Sequence, residues 1–166
     1  MPFTVFHLGP AVLFGLLLYR YLDLPTFVAA NVVVDLRAAV IFVGLWEGQI
    51  HGPMQTFLGA TLTAVVLAAA VHWFYPWIQQ VMRQVGLEQV RQRRRILAAA
   101  VAGTWLHVVM DAMLWPDMQP FAPSMWNPFL GVVAVDTMYA FTIAAGVLAV
   151  PVYLYGLYAG WYPEPV

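Results

Sequence analysis

Met54-Gln-Thr-Phe-Leu-Gly-Ala-Thr-Leu-Thr-Ala-Val-Val-Leu-Ala-Ala-Ala-Val-His-Trp-Phe-Tyr75 runs through residues 54–75 without one Asp, Glu, Lys or Arg. A helix needs about 20 mostly apolar residues to cross a hydrocarbon core about 30 Å thick. The stretch has that length, and Gly59 and Ala60 near its start allow a neighbouring helix to come close. It predicts a transmembrane helix. The rest of the chain has the same character: 63% of its 166 residues are hydrophobic and 9% are charged, with a mean hydropathy of +0.77. A soluble domain carries roughly 25% charged residues. Four further stretches are apolar enough to be considered. Residues 5–20 hold Gly9-Pro10 near the start and Arg20 at the end. Residues 24–46 open on the helix-start signal Leu24-Pro25-Thr26 but carry Asp35 and Arg37 in mid-span. Residues 96–115 form the fourth. Residues 128–159 exceed one straight span and contain Pro151, so a kink or an interfacial section is expected there. The expected fold class is all-α: an integral membrane bundle of about five transmembrane helices, one domain over residues 1–166.

The one long hydrophilic stretch, residues 79–95, has five Arg against one Glu. Short loops rich in basic residues stay cytoplasmic, so this loop orients the chain in a cell's inner (cytoplasmic) membrane. Helix 3 then starts outside near His51, helix 4 ends outside near Asp111, and helix 1 ends inside at Arg20. His7 and the N-terminus fall outside, and the C-terminus inside. The N-terminal residues lack the positive region of a signal peptide, so helix 1 is expected to stay in the mature protein. The aromatic and Pro-rich tail, Trp161-Tyr-Pro-Glu-Pro-Val166, reads as an interfacial segment.

Composition also excludes chemistry. The chain has no Cys, hence no disulfide and no thiolate metal site. Its net charge of −1 and the lack of a basic, aromatic-interleaved face outside one short loop argue against nucleic acid as a partner. Five spans without an inverted repeat make a transporter a weak reading.

Ionisable side chains within a span are costly and mark functional hypotheses by default. Here they are His7, Asp35, Arg37, His51, His107, Asp111, Asp117 and Asp136. The topology puts His7, His51, His107 and Asp111 towards the non-cytoplasmic side, and Asp35 could reach them from mid-span. His107 and Asp111 lie four apart, on one helix face about a turn apart, a spacing that suits two ligands of one metal. A plainer account stands beside this. A His–Asp pair at that spacing also serves as glue between helices, a His at a helix end is often only interfacial, and Asp136 fits a helix cap. His72, in Val71-His72-Trp73-Phe74-Tyr75, reads as part of an interfacial belt, as do most of the Trp residues. Arg37 lies two residues from Asp35 and so points to another face. Its permanent charge would oppose a nearby cation.

Several segments, in order, carry a resemblance that runs from residue 2 to about residue 135. They are Pro2-Phe-Thr-Val-Phe-His7-Leu-Gly-Pro10, Tyr21-Leu-Asp-Leu-Pro-Thr26 leading to Val34-Asp35, and His51-Gly-Pro-Met-Gln-Thr56 followed by Leu58-Gly-Ala-Thr61. Next come His107-Val-Val-Met-Asp111, Trp115-Pro-Asp-Met-Gln-Pro-Phe121 and Asn127-Pro-Phe129. Together they resemble the small membrane-bound metal-dependent hydrolases, a family related to the helical core of zinc-dependent phospholipase C. The resemblance implies a divalent metal, zinc, with ligands drawn from His7, Asp35, His51, His107 and Asp111, and it leaves Asp117 as a catalytic base or second-shell residue. It implies hydrolysis of an ester or phosphoester at the membrane interface. The chain departs from the family at two positions. Arg37 stands where the family has an acidic residue, and Gln55 where it has a second His; neither is a good zinc ligand. A two-metal site is therefore not expected, and one ion or none remains. Two readings follow: a membrane hydrolase, or an inactive relative kept as a structural subunit of a larger membrane assembly. In either, membrane lipids are the immediate partners.

Overall fold

The computed structural model describes residues 4–48 and 50–162. Pro2 and Phe3 of the opening segment, and the tail from residue 163 to 166, lie outside the described residues. Among these residues six α-helices follow one another: α1 Thr4–Leu17, α2 Leu24–Val33, α3 Leu36–Phe42, α4 Phe57–Gln84, α5 Arg93–Leu114 and α6 Val135–Tyr158. A 3-10 turn, Pro53–Gln55, precedes α4, and no strand occurs among the described residues. The molecule is a helical bundle.

Three of these helices, α4, α5 and α6, are long and apolar enough to cross a membrane. The expected span at 24–46 is broken: α2 and α3 meet at an angle of 41° around Val34-Asp35 and pass the same test only as a pair. With 14 residues, α1 reaches about 21 Å at 1.5 Å per residue, short of the hydrocarbon core. Length and composition thus give three spans, or four with the broken pair, rather than five. The excess of 128–159 is resolved simply: residues 128–134 are turns and bends, and α6 begins at Val135 and runs through Pro151. Conversely α4 outlasts its predicted end and continues through Pro76 to Gln84, which shortens the Arg-bearing loop.

Burial explains the arrangement. In α5, 56% of the apolar window is buried, against 17% in α4 and 22% in α6. α5 is therefore the central helix, packed on α4 and α2, while α1 joins α2 to α6. The outer faces of α4 and α6 expose Leu62, Val65, Val66, Ile143, Val147 and Leu154. So continuous an apolar surface is untypical of a water-soluble monomer and is compatible with membrane integration. Small residues set the closest approaches. Gly9 of α1 lies against the backbone of α6 at Thr142 and Gly146, and Gly103 of α5 against Phe27, Ala30 and Asn31 of α2.

The ends are held by polar side chains. Asp23 caps α2, accepting from Thr26 N (3.1 Å) and from the Thr26 hydroxyl, while Tyr75 Oη donates to its other oxygen at 3.0 Å. Thr56 caps α4 by accepting from Gly59 N at 2.9 Å. The loop between α4 and α5 is fastened by buried Gln89. Its Nε2 donates to Tyr19 O (2.7 Å) and Leu22 O (2.8 Å), its Oε1 accepts from Leu24 N (2.8 Å), and its backbone N donates to Gln79 Oε1 (2.7 Å). Beside it, exposed Arg83 grips Glu88 with two nitrogens at 2.9 and 2.5 Å, which holds the Glu88 carboxyl below its usual range. Gln89→Ala strands buried backbone groups of the α1–α2 turn and is expected to cost about 2 kcal/mol. A thermal melt in detergent reads this as a lowered midpoint; an unchanged midpoint would show that the loop is not held there.

Candidate metal centre

The break between α2 and α3 creates the site. Asp35 N bonds to Val32 O at 3.1 Å instead of continuing the helical ladder to the Asn31 carbonyl. That carbonyl, orphaned as helix-end carbonyls are, accepts a hydrogen bond from His107 Nδ1 at 2.8 Å. The same break turns the Asp35 side chain into the bundle, where Oδ1 lies 3.1 Å from His107 Nε2. Asp111, one turn along α5, places Oδ2 3.1 Å from His107 Nε2 and Oδ1 3.3 Å from His7 Nε2. The His7 ring, from α1, stacks on that of His107 with centroids 4.1 Å apart and planes 19° from parallel. Four side chains from three parts of the chain meet in one place, all of them buried.

The donor set fits a divalent cation. A backbone carbonyl can only accept, so His107 Nδ1 carries a hydrogen and Nε2 is left facing two carboxylate oxygens. A bare Nε2 lone pair 3.1 Å from each of two carboxylate oxygens is repelled by both unless a proton or a cation lies between them. Neither ring nitrogen of His7, nor His107 Nε2, nor Asp111 Oδ1 has an aligned hydrogen-bond partner among the described residues. Ligand atoms of His7, Asp35 and His107 all lie within 4.8 Å of one another. Ligands 2.0–2.2 Å from a tetrahedral zinc ion stand about 3.4 Å apart. The contacts of His107 with Asp35 and Asp111 at 3.1 Å and of His7 with Asp111 at 3.3 Å are near that spacing. Asp111, whose two oxygens contact different histidines, is not part of the group within 4.8 Å. A ring that donates its second nitrogen to a backbone carbonyl is also the usual posture of a metal-binding His.

Of the residues singled out in the sequence, His7, Asp35, His107 and Asp111 come together. His51 does not join them; its Nδ1 lies 2.7 Å from Asp117 Oδ2 and its ring stacks on Trp115 at 5.9 Å. The 3-10 turn is the reason, because it sends Gln55 inward where His51 was expected. Gln55 Nε2 donates to Asp35 Oδ1 at 3.0 Å, and its Oε1 accepts from Gly52 N at 2.9 Å. Gln55 thus orients a carboxylate. The Arg37 guanidinium packs against Gly48 and Gly52, where missing side chains make the room. Asp136 is exposed in the first turn of α6, a favourable place for a negative charge and remote from ligand duty. The sequence points to Gln55 only as a lost ligand position, not as a residue that orients Asp35, and it does not point to Asn31. Asn31 lies four residues before Asp35, as Gln55 lies four after His51, and those spacings were the available signal.

Beside His7 and Asp111 the free space is only about 10 Å³, too little for a substrate. A larger cavity of about 510 Å³ lies where Gln55, His51 and Asp117 share a wall. No family model, curated protein or solved structure matches this chain.

Proposed function

We propose that this is a membrane-embedded metal-dependent hydrolase, related to the small membrane-bound hydrolases its segments resemble, that cleaves an ester or phosphoester at the membrane interface. The observation that carries the proposal is His107 Nε2 placed 3.1 Å from an oxygen of each of two buried carboxylates, with its Nδ1 hydrogen already given to the Asn31 carbonyl. His7, Asp35, His107 and Asp111 would hold one divalent ion, zinc by preference for this nitrogen and oxygen set. Such an ion supplies Lewis acidity and lowers the pKa of a bound water. The chain's own residues do the rest: Asn31 fixes the His107 ring, Gln55 fixes Asp35, and the apolar helices keep bulk water out.

In this reading α1 and the broken α2–α3 pair complete a five-span bundle with lipids around it. The Arg run at the start of α5 lies on the cytoplasmic side. His107 and Asp111 follow Arg93 by 14 and 18 residues, hence about 21 and 27 Å along the helix, a separation that supports a cluster near the opposite face. Inductively coupled plasma mass spectrometry of the detergent-purified protein is expected to find about one equivalent of zinc or manganese; none above background would refute the proposal. Gln55→Ala, which frees Asp35 to rotate, is expected to weaken metal affinity about 10- to 100-fold without removing a ligand. Competition with a chelator measures this.

The closed surroundings of the cluster favour a second reading, an inactive structural subunit of a larger membrane assembly. There a protonated His107 would bridge the two carboxylates, and the purified protein would carry no metal.

A further inference from the structure

The 510 Å³ cavity beyond Gln55 has a composition of its own. His51 and Asp117 line it, the His side chain only 10% exposed and the Asp 49%. The short contact between His51 Nδ1 and Asp117 Oδ2 fixes the ring, so proton exchange with a bound molecule falls to Nε2. Trp115 backs the imidazole. On the other side the lining is Leu58 and Leu62, which are 67% and 62% exposed on the outer face of α4. The cavity therefore joins a polar pair to a surface that faces lipid. Among the described residues that line it there is no Arg or Lys and Asp117 is acidic, which disfavours a phosphate anion at the His51 end, while the Arg37 guanidinium packs against Gly52.

We infer that this cavity takes a carboxylic ester of an amphiphilic, lipid-like molecule, its chain along Leu58 and Leu62, and that His51, positioned by Asp117, is the catalytic proton carrier; this rests on the hydrolase reading and narrows it. In the step assigned to them, His51 Nε2 takes a proton from water as the water oxygen bonds to the carbonyl carbon. The bond from that carbon to the alcohol oxygen then breaks. The oxygen leaves with the electron pair and takes the proton back from Nε2, giving acid and alcohol.

The test uses metal-loaded, full-length protein in detergent with 4-nitrophenyl decanoate, 4-nitrophenyl acetate and bis(4-nitrophenyl) phosphate. The wild type is expected to cleave the decanoate fastest and the phosphodiester least. Asp117→Asn is expected to lower kcat about a hundredfold with KM, metal content and melting midpoint unchanged, and Asp117→Glu to recover part of it. Three results would overturn the inference alone: an active wild type with an unimpaired Asp117→Asn variant, loss of metal in that variant, or cleavage of the phosphodiester in preference to the decanoate. A wild type that holds no metal and cleaves nothing would overturn the hydrolase reading and this inference together.

Discussion

His107→Ala is expected to strip the protein of its divalent ion and to destabilise it by about 3–5 kcal/mol, the range for breaking a buried charged cluster by removing one partner. The imidazole is the hub. It stands 3.1 Å from Asp35 and 3.1 Å from Asp111, stacks on His7 and is anchored by the Asn31 carbonyl. Without it, two buried carboxylates face each other with no nitrogen between them, and the Asn31 carbonyl loses its donor. Metal analysis and a thermal melt of the same preparation read both effects. Added zinc should raise the melting midpoint of the wild type and leave the variant unmoved, since only a species that binds the folded state stabilises it. A variant that keeps its metal would show that the ion, if bound, is held elsewhere.

Gly103→Leu is the second large effect, and it reaches the site through packing. A Cβ at Gly103 would meet the Ala30 Cβ at 2.6 Å, the Phe27 carbonyl at 2.7 Å and Asn31 Nδ2 at 3.1 Å. Two of these belong to the α2 backbone or to a methyl with nowhere to turn, so α2 itself must move. Overpacking of this kind costs about 3 kcal/mol at the upper end of its usual range. Asn31, displaced with α2, carries the carbonyl that fixes His107 one turn further along α5. Both a lower melting midpoint and weaker metal retention are therefore expected. Gly103→Ala should show the same pattern in milder form. Wild-type stability in Gly103→Leu would mean that α2 and α5 do not approach as closely as described.

Much of this architecture could be read without coordinates, for a physical reason. The absence of charge over 54–75, and a single carboxylate, Asp111, over 96–115, make a lipid-facing or buried helix the natural state, and both stretches lie largely within helices. The His107–Asp111 pair was legible for the same reason, because four residues are about one turn. The breaks were harder. Asp35 signalled trouble in mid-span, but only tertiary contacts decide that the helix yields there, frees the Asn31 carbonyl and turns the carboxylate inward. His51 was the least legible. It follows an irregular segment, and whether it or Gln55 points at Asp35 depends on one 3-10 turn that periodicity cannot reveal. The rotation of α1, which brings His7 over His107, is likewise set by Gly9 packing on α6.

Four side chains from α1, the α2–α3 break and α5 are proposed to hold one divalent ion. Anomalous diffraction from crystals of the zinc-loaded protein, collected at the zinc edge, tests it most directly. A single peak within coordination distance of His7, Asp35, His107 and Asp111 is expected. No peak, or a peak between His51 and Asp117 instead, would contradict it.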